Sequence, residues 1–172
     1  MDDSNEQPLF PQEQLPDPAW FQKIDAEMKE LAEKIPVVAR QPSTEKIWCK
    51  IGSLWYGHPV TPLILRYRAL IWLKTNPPDP RGEKMAKRPA PYTVYARRRD
   101  LPEVINQSLR TVDRMMALTR ESLGYKPYSK ITVEQFCFIN ELPEDEIQQK
   151  LGDLQERRRK HKTKSKDEDD DY

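Results

Sequence analysis

A chain of 172 residues, 37% hydrophobic and 33% charged, can bury one core of modest size and is too polar to be folded from end to end. Sixteen prolines against five glycines make its connectors stiff, because proline fixes φ where glycine frees it. No stretch approaches the roughly 18 apolar residues that cross a bilayer, and Met1 to Pro18 is acidic and proline-containing where a secretory leader is basic and then apolar; the expected location is the cytoplasm.

The first segment, residues 1–16, reads as an extended acidic arm in which Phe10 and Leu15 are free to dock elsewhere. A helix follows with Asp17 as N-cap, Pro18 in its first turn and one apolar stripe through Trp20, Ile24, Met28, Leu31 and Ile35, stopped by Pro36. From Ser43 to Tyr56 the positions Ile47, Ile51, Leu54 and Trp55 suit a short helix ended by Gly57, and Ile47, Cys49 and Ile51 suit a strand nearly as well. Thr61 as cap and Pro62 in the first turn then open a helix, Leu63 to Leu73, that is apolar on all sides except for Arg66 and Arg68 and is therefore expected at the centre of the core.

Asn76 to Gly82 is a stiff, proline-rich break. The basic connector after it, residues 83–99, carries Pro89 and Pro91 and suits an extended loop or one short edge strand. Asp100 and Glu103 form a capping-box pattern for the longest expected helix, through Ile105, Leu109, Val112 and Met116 to Leu123, with Gly124 at its end. Thr132 with Gln135 opens a short helix, and Pro143 another that carries Ile147, Leu151 and Leu154 before residues 156–172 become a basic and then acidic tail without the apolar surface that folding requires. The fold class is therefore mostly α: an irregular bundle of about five helices over residues 17–155. Its expected core is Trp20, Ile24, Leu31, Leu65, Leu70, Trp72, Leu109, Val112 and Met116.

A formal charge of +1 conceals segregation: residues 1–35 carry −6, residues 36–130 carry +11, and residues 131–172 carry −4. The densest basic stretch, Lys84, Lys87, Arg88, Arg97, Arg98 and Arg99 interleaved with Tyr92 and Tyr95, pairs cations for phosphates with rings for bases, as nucleic-acid binding needs. The competing reading is that these cations are cancelled by Asp100, Glu103 and the acidic ends, or face another protein. Residues 131–151 have the outline of a helix-turn-helix, but Glu141 occupies the place often held by glycine and the second helix opens with Glu144, Asp145 and Glu146, which phosphates repel. A hairpin packed on the long helix is the reading taken.

Cys49 and Cys137 lack the spacing of a metal site or a disulfide framework and read as buried thiols. Of the two histidines, His58 sits in a turn and His161 in the tail; the carboxylate pair Asp113 and Glu121 could in principle cooperate but reads as a solvated helix face, and no phosphate-cradle, dinucleotide, zinc-protease or serine-hydrolase pattern occurs. The expectation is thus no enzyme, no metal and no cofactor. The leading role is a structural or adaptor subunit of a larger nucleoprotein or virion-type assembly, docking on protein partners through Phe10, Trp48, Trp55 and Tyr56. The alternative is a nucleic-acid-binding protein, and self-association is left open.

Overall fold

The computed structural model describes residues 17–77 and 94–167, the last seven of them as backbone only. Six helices and one hairpin follow in order: α1 (Pro18–Ala39), β1 (Cys49–Ile51), β2 (Leu54–Tyr56), α2 (Val60–Thr75), α3 (Leu101–Val104), α4 (Leu109–Leu123), α5 (Val133–Ile139) and α6 (Glu144–Asp167). Among the described residues no helix is long and apolar enough to cross a membrane.

Helix α2 stands at the centre, as its nearly unbroken apolar run demands, and packs against α1, α4, α5 and β2. Its two arginines are partly buried at joints with neighbouring helices. Arg66 holds Glu27 of α1 through both guanidinium edges, at 2.6 and 2.9 Å, and donates to the Ser122 carbonyl at the end of α4. Arg68 donates to the Phe138 and Ile139 carbonyls, closing the C-terminus of α5, and to Glu141 at 3.3 Å. Cations are favoured at a helix C-terminus because its last carbonyls have no intrahelical partner.

Helix α1 begins as expected, with the Asp17 carboxylate accepting from the Ala19 N–H at 2.9 Å, but Pro36 does not stop it. Proline forfeits one backbone bond, which a final turn tolerates. Its stripe forms a second, smaller cluster with α2: Ile24 and Leu31 bury against Leu70, flanked by Trp20, Met28, Ile35, Leu63 and Tyr67.

The segment read as a short helix is instead an antiparallel hairpin, with Cys49 opposite Tyr56 and Ile51 opposite Leu54. Alternation decides it: Cys49, Leu54 and Tyr56 turn inward, while Lys50 and Trp55 turn out, the ammonium 4.3 Å from the indole centroid. Gly52 supplies the left-handed turn residue at φ +55°. Gly57, at φ +104°, approaches the Lys46 carbonyl so closely that a Cβ would lie 2.4 Å from it. Helix α2 then starts at Val60, its N–H capped by His58 Nδ1 at 3.0 Å, whereas the hydroxyl of Thr61, expected to cap, donates to the Trp55 carbonyl.

The longest expected helix is broken. Asn106 takes a positive φ of +53° after α3, and Ser108 caps α4 by accepting from the Thr111 N–H. Leu109, expected in the core, is 44% exposed in that first turn, whereas Ile24, Leu31, Leu65, Leu70, Trp72, Val112 and Met116 are buried as expected. The basic connector ends in an extended piece whose Tyr95 bridges Thr132, with Ala96 N–H donating to the Ile131 carbonyl.

In the hairpin of α5 and α6, α5 packs on α2 and to a lesser extent on α4, while α6 packs on α5 and α3. Thr132 and Gln135 form the expected capping box. Glu141 adopts φ +56°, the conformation that made glycine the expected residue there, and its carboxylate is held by Arg68 and by Ser53 Oγ at 2.7 Å. Asn140, fully buried beside it, accepts from the Tyr56 hydroxyl and donates to Thr119 Oγ1 and the Phe136 carbonyl, each at 2.8 Å. Thr119 donates onward to the Met115 carbonyl.

Both cysteines are free and buried, and burial pushes the Cys137 thiol up to about 12. Replacing Asn140 by Ala strands several buried polar groups, and a loss of about 2 to 4 kcal/mol is expected against about 1 to 2 for Tyr56→Phe. Urea unfolding measures both, and an Asn140→Ala midpoint equal to the parent's would contradict the network. By the same measurement Gly57→Ala should cost at least about 2 kcal/mol. Gly152→Ala, on α6 with open space around it, should gain about 0.5 to 1 kcal/mol.

Candidate anion-binding face

The connector and the tail, nearly 60 residues apart in sequence, meet on one side of the molecule. Helix α6 does not end where its apolar residues do: it runs past Leu154 to Asp167, so residues 156–167 of the expected unstructured tail are helical, and residues 168–172 lie outside the described residues. Three contacts hold the extension. Glu156 pairs with Lys160 one turn on, at 2.9 Å; Arg157 reaches Glu103 at 3.4 Å; and Arg158 binds Asp100.

Asp100 is the pivot. Its side chain does not cap α3, as the sequence pattern suggested; it is buried, at 2% exposure for the residue, beneath Arg158 with Arg99 at 3.5 Å on its other side. Burying a carboxylate is costly unless a cation stays with it, so Asp100 tethers the basic part of α6 to the basic connector. Arg98 turns the other way and grips Asp113 of α4 through two bonds of 2.6 and 2.8 Å. The hydrogen bond from Arg98 holds the Asp113 carboxyl below its usual range. Arg97 makes no ion pair among the described residues. Arg97, Arg98 and Arg99 line an open depression of about 420 Å³ with Leu109 on its wall.

Five guanidinium groups, on Arg97, Arg98, Arg99, Arg157 and Arg158, thus surround three carboxylates, on Asp100, Glu103 and Asp113. The expected internal cancellation is real but incomplete. Arg98 and Arg99 remain mostly exposed, and solvent-screened pairs of that kind are too weak to keep a guanidinium from a phosphate. Tyr95 lies at the edge of this face, 41% exposed, with Lys130 Nζ 5.3 Å from its ring centroid. Lys84, Lys87, Arg88 and Tyr92 lie outside the described residues, as does Phe10.

The aromatic interface expected around the hairpin is largely internal. Tyr56 is fully buried, a correction that follows from its inward register opposite Cys49, and burial raises its hydroxyl pKa. Trp48 is half-buried against Tyr56 and under the Arg114 guanidinium, 5.2 Å from its centroid. Only Trp55, at 48%, is substantially exposed. Trp48, His58, Arg114 and Glu45 line an open groove of about 390 Å³, in which His58 is already occupied as a helix cap. Among the described residues no three of His, Cys, Asp and Glu gather as metal ligands would.

The acidic start of α6 stays hostile to phosphate. Burial first, then Glu134 and Asp145, raise the pKa of Glu144, so negative charge is already crowded there. Compared with protein-family models, curated proteins and solved structures, the chain matches none of them.

Because the folded Asp113 carboxyl titrates below its unfolded value, its pair with Arg98 stabilises the fold above the ordinary Asp range and ceases to do so as pH falls through the lower folded value. Carboxyl NMR titration should show Asp113 moving up in Arg98→Ala. The difference in stability between parent and variant should close once the pH has fallen through the lowered folded value; a difference that persists in fully protonating acid would exclude the pair as its source.

Proposed function

We propose that this chain is a non-catalytic binding subunit of a nucleoprotein-type assembly, working in the cytoplasm and holding the phosphate backbone of a nucleic acid on the face built from Arg97–Arg99 and the basic turns of α6. The observation that carries this reading is the tether of Arg158 to buried Asp100, which joins two separately basic segments into one surface with more cations than anions. Neutralising several phosphates at once releases their counterions, the main source of affinity in such contacts. Two free, buried thiols fit a compartment that keeps cysteines reduced.

A second reading, docking on a protein partner through an apolar surface, draws on exposed Trp55 and on the Trp48 groove. It is the weaker of the two, since Tyr56 and half of Trp48 are committed to the fold. Salt separates them: phosphate contacts weaken steeply as salt rises, whereas apolar docking changes little.

For the full chain on a labelled oligonucleotide, log K against log salt should fall with a slope of several units. The triple variant Arg97→Ala, Arg98→Ala, Arg99→Ala should flatten the slope by about two to three units. Arg158 is left in place, because removing it would strand Asp100. No retention at about 50 mM salt, or retention that ignores salt and the three arginines, would refute the proposal.

A further inference from the structure

The loop between α4 and α5 holds a large aromatic ring almost wholly in water. Tyr128 is 96% exposed, the most exposed large hydrophobic side chain among the described residues, although the loop around it is well anchored. Arg120 Nε donates to the Ser129 carbonyl at 2.8 Å, the Ser129 N–H donates to the Lys126 carbonyl at 3.0 Å, and the Tyr125 hydroxyl accepts from Gln135 at 3.1 Å. Tyr125 thus faces inward and is half-buried, while its neighbour three residues on is carried outward by a fixed turn.

The same loop continues into the bridge that binds the basic connector. Thr132 pairs with Tyr95, and Lys130 stands over one face of the Tyr95 ring, leaving that residue 41% exposed. Two residues beyond Tyr95 comes Arg97, the connector arginine without an ion pair among the described residues. Residues 94–99 and 122–133 together contain Lys126, Lys130, Arg97, Arg98 and Arg99 and no acid. Rings and cations therefore alternate along these two segments, which Asp100, Glu121 and Glu134 flank.

From this we infer that the face takes a single strand: its bases stack on Tyr128 and Tyr95 while its phosphates lie along Lys130 and Arg97. The inference rests on the reading of the arginine face as a phosphate-binding surface and adds the strand type and the two stacking residues. A duplex hides the flat faces of its bases inside the helix and could use only the cations, whereas an unpaired strand can use both. Aromatic stacking tolerates any base, so the site has little sequence preference.

The test measures binding of the full chain to a labelled 15-nucleotide single strand, to the same sequence as a duplex, and to inorganic polyphosphate, for the parent, Tyr128→Ala, Tyr128→Phe and Tyr95→Ala. The single strand should bind the parent most tightly. Tyr128→Ala should weaken it by about fivefold or more without changing the salt slope, and Tyr128→Phe, which keeps the ring, should retain parental binding. Duplex and polyphosphate affinities should be unmoved by either. Tyr128 has almost no contacts to lose, so its removal does not threaten folding; Tyr95→Ala is checked by its unfolding midpoint and should weaken the single strand alone. Equal affinity for all three polyanions, or a Tyr128→Ala variant as tight as the parent, would overturn the stacking site while leaving the phosphate face intact. Failure to bind any of the three would remove the phosphate face itself.

Discussion

Buried away from water, a carboxamide that can donate two hydrogen bonds and accept two must find its partners on the protein. Asn140 finds them on three segments: the hairpin through Tyr56, α4 through Thr119, and α5 through the Phe136 carbonyl. Apolar packing alone is tolerant of sliding, because one methyl group serves nearly as well as another. An amide with fixed directions is not, and so the positions of the hairpin, α4 and the turn before α6 are set together. Glu141, next in sequence, extends the same junction to the Gly52–Ser53 turn and to Arg68. The left-handed strain at Glu141 is offset by those bonds.

The arginines divide into two populations. Arg66, Arg68 and Arg120 spend their donors on carbonyl oxygens and partly covered carboxylates; the first two hold helices to one another and the third anchors the loop after α4. Arg97 to Arg99 and Arg157 stay mostly exposed, Arg98 and Arg157 paired at the surface, Arg99 beside buried Asp100, and Arg97 without an ion pair among the described residues. A net +11 over residues 36–130 therefore overstates what is available to a partner, since several of those charges are structural. What remains is concentrated on one face because Asp100 draws the end of α6 onto the connector.

Much of the architecture is legible in the residues. The Asp17 cap with its stripe and the Thr132/Gln135 box each combine a local capping signal with the right period, and each forms; the apolar run of α2 forms as well, though without the Thr61 cap. The failures have physical causes. Alternation over two three-residue strands is too short to outweigh helical spacing unless Gly52–Ser53 is taken as a two-residue hairpin loop, a signal that was present. Asp100 and Glu103 match a capping box, but the carboxylate is taken by Arg158, a partner 58 residues away that no local pattern reveals. Asn106 and Ser108 did carry the break before α4. The site was half legible: composition marks the basic connector and the basic tail separately, and only the fold brings them together. Tyr128 carries no local mark, because exposure is a property of the folded surface.

Helix α1 is attached differently from the rest. Its cluster is built from α1 and α2 alone, and two ion pairs, Glu27 with Arg66 and Asp25 with Lys74, fasten its flank. Releasing it would uncover Leu70 and its neighbours yet leave the Asn140 junction and the main core closed. Because its side-chain cluster is shared with α2 alone, α1 can open by itself at a free-energy cost below that of global unfolding. Amide protons of α1 would then exchange with solvent through this partial opening, ahead of those in α2, α4 and α5.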